Sequence, residues 1–204
     1  MDYTTVIGEA VAEYEIQRSV FICSIKGISS FEEGLNFVKT ISKKYSDATH
    51  NCYGLLCING EQKFSDDGEP QGTAGLPILQ VLKKSDLNNV VCVVTRYFGG
   101  IKLGAGGLVS AYTKSAADGI AAAKKAVMKD SFLYTVETSY SDNETLARLL
   151  EKNGCSVKNK AYGGIITTVF AAPVSEADTL LKQFNDTFKG KITPALTERL
   201  YTSY

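Results

Sequence analysis

Seven uncharged residues, NVVCVVT (Asn89–Thr95), run directly into thirteen that hold five glycines and two cations, RYFGGIKLGAGGL (Arg96–Leu108). A continuous run of β-branched residues and cysteine has neither the two-residue nor the 3.6-residue period, so it predicts a buried strand. Beyond the glycines, Leu108, Tyr112, Ala116 and Ile120 recur every four residues, which predicts a long helix with one core-facing stripe through GGLVSAYTKSAADGIAAAKK. The chain is thereby committed to a buried strand, a bare glycine turn and a helix, in that order.

A strand that ends in glycines and feeds a helix leaves unpaired N–H groups at the positive end of that helix, a concavity suited to an anion. Gly104, Gly106 and Gly107, with Ala105 among them, let a ligand approach the backbone, and Arg96 and Lys102 add charge. These six residues are the candidate anion- or nucleic-acid-binding set. The same glycines also suit positive φ angles and close strand–helix packing, with Arg96 held in a structural ion pair. Both readings stand at this point.

Upstream, the loop SDDGEPQGTAGLP (Ser65–Pro77) carries Asp66, Asp67 and Glu69. Folded back, its carboxylates would neutralise Arg96 and Lys102; a divalent cation on Asp66 and Glu69 would need further oxygen ligands. His50 and Cys52 lie two apart in a predicted strand and share a face, but no third residue is placed to orient the imidazole, so His50 is read as a partner of the acidic loop or of backbone carbonyls.

The remaining pattern divides in two. Strand-like runs YTTVIG, EYEIQRSVFICSIKGI and NCYGLLCING surround a helix in SSFEEGLNFVKTISKKY, where Ser30 and Glu33 fit a capping box and Phe31, Leu35, Val38, Ile41 and Tyr45 share a face. A short helix around PILQVLKK has Pro77 in its first turn. From about Ser131 the order becomes strand FLYTVET, a helix capped by Ser141 and Glu144 and stopped at Gly154, strands CSVKNKAY and IITTVFAA joined at Gly163-Gly164, a helix opened by SEAD, and a closing strand in KITPALTERLY. That βαββαβ order is ferredoxin-like. Aromatic residues Phe132, Tyr134, Tyr162 and Phe170 lack the basic-aromatic pattern of an RNA-recognition sheet and are read as packing. The expected division is 1–130 and 131–204, and the fold class is α+β.

Charge narrows the partners. Lys and Arg number 22 against 22 Asp and Glu, so any nucleic-acid contact must come from a local patch. Five cysteines with no C-x-x-C pair and a single histidine give no zinc or iron–sulfur spacing, and no metal or cofactor is expected. The start lacks a signal-like basic and apolar succession and no run approaches a membrane span, so a cytoplasmic protein with no membrane partner is expected. Oligomeric state has no signature here.

Together, FSDDGEPQGTAGLPIL and NVVCVVTRYFGGIKLGAGGLVSAY resemble the two signature blocks of the IMPACT/YigZ family, over roughly residues 15–125. The resemblance implies a ribosomal-protein-S5-domain-2-like N-terminal domain of left-handed βαβ type. It also implies a C-terminal ferredoxin-like domain similar to domain V of elongation factor G. The motif positions it marks include His50, Asp66, Asp67, Glu69, Thr73, Tyr97 and Tyr112, besides Arg96, Lys102 and the glycines. Leu76 and Ser110 stand where many members carry a basic residue, and Ala105 where many carry threonine. Eukaryotic relatives act in translational control, so the resemblance implies a noncatalytic protein that docks on RNA, the ribosome or a translation-associated protein. The alternative is a small-molecule phosphate-binding enzyme of the related metabolite-kinase fold, although KLGAGGLVSA lacks the proline lead and adjacent serines of that pattern.

Overall fold

The apolar run forms the central strand of an antiparallel sheet, and both faces of that strand are covered. The computed structural model describes residues 2–204, an α+β chain of two units: residues 3–127, and residues 128–204 with Asp2. In the first unit the elements are β1 (Tyr3–Val6), β2 (Glu9–Ile16), β3 (Ser19–Gly27), α1 (Phe31–Lys44), β4 (His50–Leu56), β5 (Gln62–Ser65), α2 (Gly75–Lys84), β6 (Val90–Tyr97) and α3 (Gly104–Ala122). Strands pair in the order β2-β3-β6-β4-β5, every pair antiparallel. On one face Val90, Cys92 and Val94 of β6 join Phe21, Cys23, Ile78, Leu82, Tyr112 and Ala116 in a cluster built with α2 and α3. On the other, Val91 and Val93 pack with Phe37, Ile41 and Leu55 beside α1. With no solvent face, β6 has no reason to alternate. Each fully buried aliphatic side chain contributes about 1.5–3 kcal/mol of transfer free energy.

Local signals place most of these elements. Ser30 caps α1, its hydroxyl accepting from the Glu33 amide at 3.1 Å, while the Glu33 carboxylate accepts from the amide and hydroxyl of Ser29, both at 2.7 Å, rather than from Ser30. The run EYEIQRSVFICSIKGI is not continuous: Gln17 (φ 49°) and Arg18 (φ 63°) make a two-residue turn between β2 and β3. Both central residues of such a hairpin turn need positive φ, normally met by Asn or Gly. Strand β5 carries no alternation of its own and exists through its pairing with β4.

The second unit holds β7 (Lys125–Thr138) from residue 128 onward, α4 (Tyr140–Lys152), β8 (Ser156–Tyr162), β9 (Ile166–Pro173), α5 (Ala177–Phe188) and β10 (Ala195–Thr202). Its sheet order, β10-β7-β9-β8, is the ferredoxin-like arrangement. Tyr134 and Phe170 stack at 5.5 Å between ring centroids, Phe170 and Phe184 at 5.9 Å, so these aromatics are core. Tyr162 is exposed instead. The α4 cap is Ser139, which accepts from the Asp142 amide at 3.2 Å; the expected cap residue, Ser141, falls two residues later, within the first turn of the helix. Gly154, with φ 60°, terminates α4 as expected.

Close packing of α3 on the sheet depends on Gly119, where a Cβ would lie 2.2 Å from Cys23 Sγ. Gly119→Ala is expected to destabilise the protein by about 1–3 kcal/mol in urea denaturation. Gly106→Ala, whose Cβ would enter open space, is expected to be neutral or to stabilise by up to about 1 kcal/mol. Equal responses at the two positions would contradict this packing.

Candidate functional site

The site is assembled by the acidic loop, the end of β6, the start of β4 and the start of α3. Asp66 turns its carboxylate inward as a local anchor: Oδ2 accepts from the Gly72 amide at 2.8 Å, and Oδ1 from those of Ala74 (3.1 Å) and Gly75 (2.8 Å). Three amides of the loop and of the α2 start are thereby satisfied by one side chain. Asp67 does the same for β4, its Oδ2 accepting from the Asn51 amide at 2.6 Å. Thr73 closes a turn on the Pro70 carbonyl at 2.7 Å. With the loop pinned at both ends, Glu69 is delivered into the protein.

Glu69 meets Arg96 there. Arg96 Nη1 donates to Glu69 Oε1 at 2.6 Å, and their side chains are 6% and 3% exposed. The Tyr112 hydroxyl donates to the same oxygen at 2.8 Å. The Arg96 guanidinium carbon lies 5.5 Å from the Phe21 ring centroid and 5.3 Å from that of Phe98, cation–π distances. Arg96 Nε has no hydrogen-bond partner among the described residues. The ion-pair reading of Arg96 therefore describes this corner: its charge is balanced by Glu69, and it is not a free surface cation.

His50 and Cys52 do not form a nucleophile–base pair. His50 Nδ1 lies 2.6 Å from the Asp67 carbonyl and Nε2 is 4.0 Å from Glu69 Oε2. The Cys52 thiol lies 2.9 Å from the Asp66 carbonyl and 3.4 Å from the Tyr112 hydroxyl. Burial pushes that thiol up to about 12, and burial together with the neighbouring Cys52 raises the Tyr112 phenol. Neither is ionised near neutral pH.

The start of α3 is open. Gly104 takes φ 71°, a conformation that favours glycine. Leu103 at the cap position offers no side-chain acceptor, the first turn has no acidic residue, and the amides of Gly104, Ala105 and Gly106 find no acceptor among the described residues. Lys102 is exposed and forms no ion pair among the described residues.

A cavity of about 430 Å³ joins these parts, reached by His50, Glu69, Arg96, Lys102, Gly104 and Ala105. Gly106 and Gly107 continue the helix beyond it. Tyr97 points elsewhere, its hydroxyl donating to Asp47 at 2.9 Å, and Asp66, Asp67 and Thr73 shape the loop without reaching the cavity. Asp66 and Glu69 are turned to different partners, and among the described residues no group of three His, Cys, Asp or Glu could hold a metal ion. Thr49, Pro70, Phe98 and Leu103 also line the cavity; sequence reasoning passed over Thr49, and it placed Pro70, Phe98 and Leu103 in the signature blocks without singling them out as site residues. The signal for Phe98 was present: a large aromatic immediately before two glycines.

If Glu69 and Arg96 sustain each other, Glu69→Ala and Arg96→Ala each cost about 3–5 kcal/mol in urea denaturation, since each strands a buried charge. The double variant is then less destabilised than their sum by about 1–3 kcal/mol. Strict additivity would contradict the pairing.

Comparison with known proteins identifies the family. Residues 17–120, which hold every cavity residue, match the Impact N-terminal domain. The chain is 48% identical over 120 residues to the IMPACT family member YvyE of Bacillus subtilis, spanning 58% of this chain and 55% of that one. It is 30% identical over 185 residues to the IMPACT family member YigZ of Escherichia coli, spanning 87% and 89%. A solved structure described as the crystal structure of an hypothetical protein matches with a TM-score of 0.65 and 27% identity over 97% of this chain and 98% of the other. With the signature loop, the glycine turn and the two-unit α+β fold all in place, the chain belongs to the IMPACT family.

Proposed function

We propose that this chain is a noncatalytic, translation-associated binding protein of the cytoplasm that docks on RNA, the ribosome or a translation-related protein through the face at the start of α3. The observation that carries the reading is the free first turn of α3: the amides of Gly104, Ala105 and Gly106 find no acceptor among the described residues, and unpaired Lys102 stands beside them. Helix-terminal amides and a cation are the elements that grip a phosphate or carboxylate of a larger partner. Support for translation comes from family membership and from the resemblance to eukaryotic regulators. Residues 131–204, which the family resemblance likens to elongation factor G domain V, are proposed as a second docking module. Since total charge is balanced, attraction is confined to this local face.

The runner-up reading, a small-molecule phosphate-binding enzyme, draws on one observation: the cavity of about 430 Å³ that brings His50, Glu69 and Lys102 together. Against it stands the engagement of Glu69 Oε1 by both Arg96 and Tyr112.

The test is cosedimentation with ribosomes and a gel-shift series with RNA at increasing salt. Binding is expected to weaken as salt rises, and Lys102→Ala is expected to lower the slope of log affinity against log salt by about 1. Arg96→Ala is a poorer probe, because it also strands Glu69. No association with RNA or ribosomes, together with thermal stabilisation by a nucleotide and magnesium, would replace this reading with the enzymatic one.

A further inference from the structure

We infer that the outer edge of β2 is a docking site for an extended polypeptide segment with Lys or Arg at alternate positions, which adds to the first sheet as a further antiparallel strand. The edge uses none of the residues at the start of α3, and its partner is protein rather than nucleic acid.

The sheet runs β2-β3-β6-β4-β5, so β2 and β5 are its edges. β5 has four residues, whereas β2 has eight. All eight pair with β3 without a register shift, from Glu9 opposite Lys26 to Ile16 opposite Ser19. The Gly27 amide donates to the Gly8 carbonyl at 3.4 Å, so these two face each other as a hydrogen-bonded pair, and in an antiparallel ladder such pairs alternate. Ala10, Ala12, Tyr14 and Ile16 therefore bond inward to β3. The N–H and C=O groups of Glu9, Val11, Glu13 and Glu15 point the other way, and among the described residues they find no partner. Edges are commonly blunted by proline, lysine or a bulge; EAVAEYEI has none of the three. The guard it does carry is acidic, and that guard is selective.

Ala10, Tyr14 and Ile16 pack on the α3 side of the sheet, so alternation puts Glu9, Val11, Glu13 and Glu15 on the opposite face, where all four are exposed. Glu9 shares Lys26 at 3.4 Å, but Glu13 and Glu15 form no ion pair among the described residues. Such an edge repels a phosphate backbone. It repels a second copy as well: any antiparallel register of two β2 edges that pairs three or more of these four residues sets Glu opposite Glu. A strand with cations two residues apart meets Glu13 and Glu15 together, because alternate residues are spaced by about 6.8 Å on both strands. An apolar residue two positions further on covers Val11, which is 57% exposed. On the α3 side stands Lys114, its ammonium 5.4 Å from the Tyr14 ring centroid and bonded to Asp118, so the intervening positions are uncharged. Main-chain bonds then supply affinity and the alternate side chains supply choice of partner, as in strand addition generally.

The test joins fluorescence anisotropy to NMR amide exchange, using the full chain and a labelled, end-blocked peptide, Thr-Lys-Thr-Lys-Thr-Val-Thr, whose order matches Glu15, Glu13 and Val11 in the antiparallel sense. The peptide is expected to slow exchange at the amides of Val11, Glu13 and Glu15. Methylating the amide nitrogens of its second lysine and its valine, which face β2, is expected to weaken binding about tenfold, while methylating those of the threonines between them is tolerated. Replacing both exposed glutamates, Glu13→Lys with Glu15→Lys, is expected to lower affinity about tenfold and to turn preference toward the peptide with glutamates in place of lysines; circular dichroism checks that this variant is folded. Equal binding of the two methylated peptides, or of a peptide of the same composition with its lysines adjacent, would reduce the contact to loose charge attraction and overturn the proposal. Absence of binding at millimolar peptide would overturn it too. A concentration-dependent dimer that protects the same amides without peptide would give the edge to a second copy instead. None of these outcomes bears on RNA or ribosome binding at the start of α3.

Discussion

The buried pair of Glu69 and Arg96 is the contact on which the rest of this corner depends. Its partners come from three separate parts of the chain: Glu69 from the acidic loop, Arg96 from the end of β6, and Tyr112 from α3, whose hydroxyl closes the set. Two charges removed from water cost several kcal/mol each, and that cost is offset only when geometry is tight and the remaining hydrogen-bonding groups find partners. Here the Oε1 atom is doubly bonded by donors, Phe21 and Phe98 flank the guanidinium, and Asp66 holds the loop through three amides. Rigid anchoring of the loop is what lets Glu69 occupy so dry a position.

The same pairing decides which groups face outward. Because Arg96 is balanced, the net positive character of the face comes from Lys102 and from the bare turn that opens α3. A chain with equal numbers of acidic and basic residues can in this way present a locally polarised recess without a basic surface at large.

Much of the framework was legible from residue order alone, and the reasons are local. The uninterrupted run in β6, the four-residue stripe of α3, the Ser30 cap and the Gly163-Gly164 hairpin each report a short-range physical need. What escaped notice depends on distant parts. The Gln17–Arg18 turn has none of the residues that usually take positive φ and is imposed by the pairing of β2 with β3. Ser139 rather than Ser141 caps α4 because the helix begins where β7 ends. For the site, the motif residues were visible, but residues 27 positions apart reveal no partnership in a sequence. Thus Arg96 was open to two readings, ligand-binding cation or structural partner, until its neighbour was located.

The recess is made receptive above all by backbone amides, which no side-chain pattern displays directly. Inorganic phosphate titrated into uniformly nitrogen-15-labelled protein tests this most directly by heteronuclear NMR. Saturable shifts centred on the amides of Gly104, Ala105 and Gly106, and weakened in Lys102→Ala, are the expected result. Unmoved amides at those three residues, with phosphate shifting only scattered lysines elsewhere, would contradict the account.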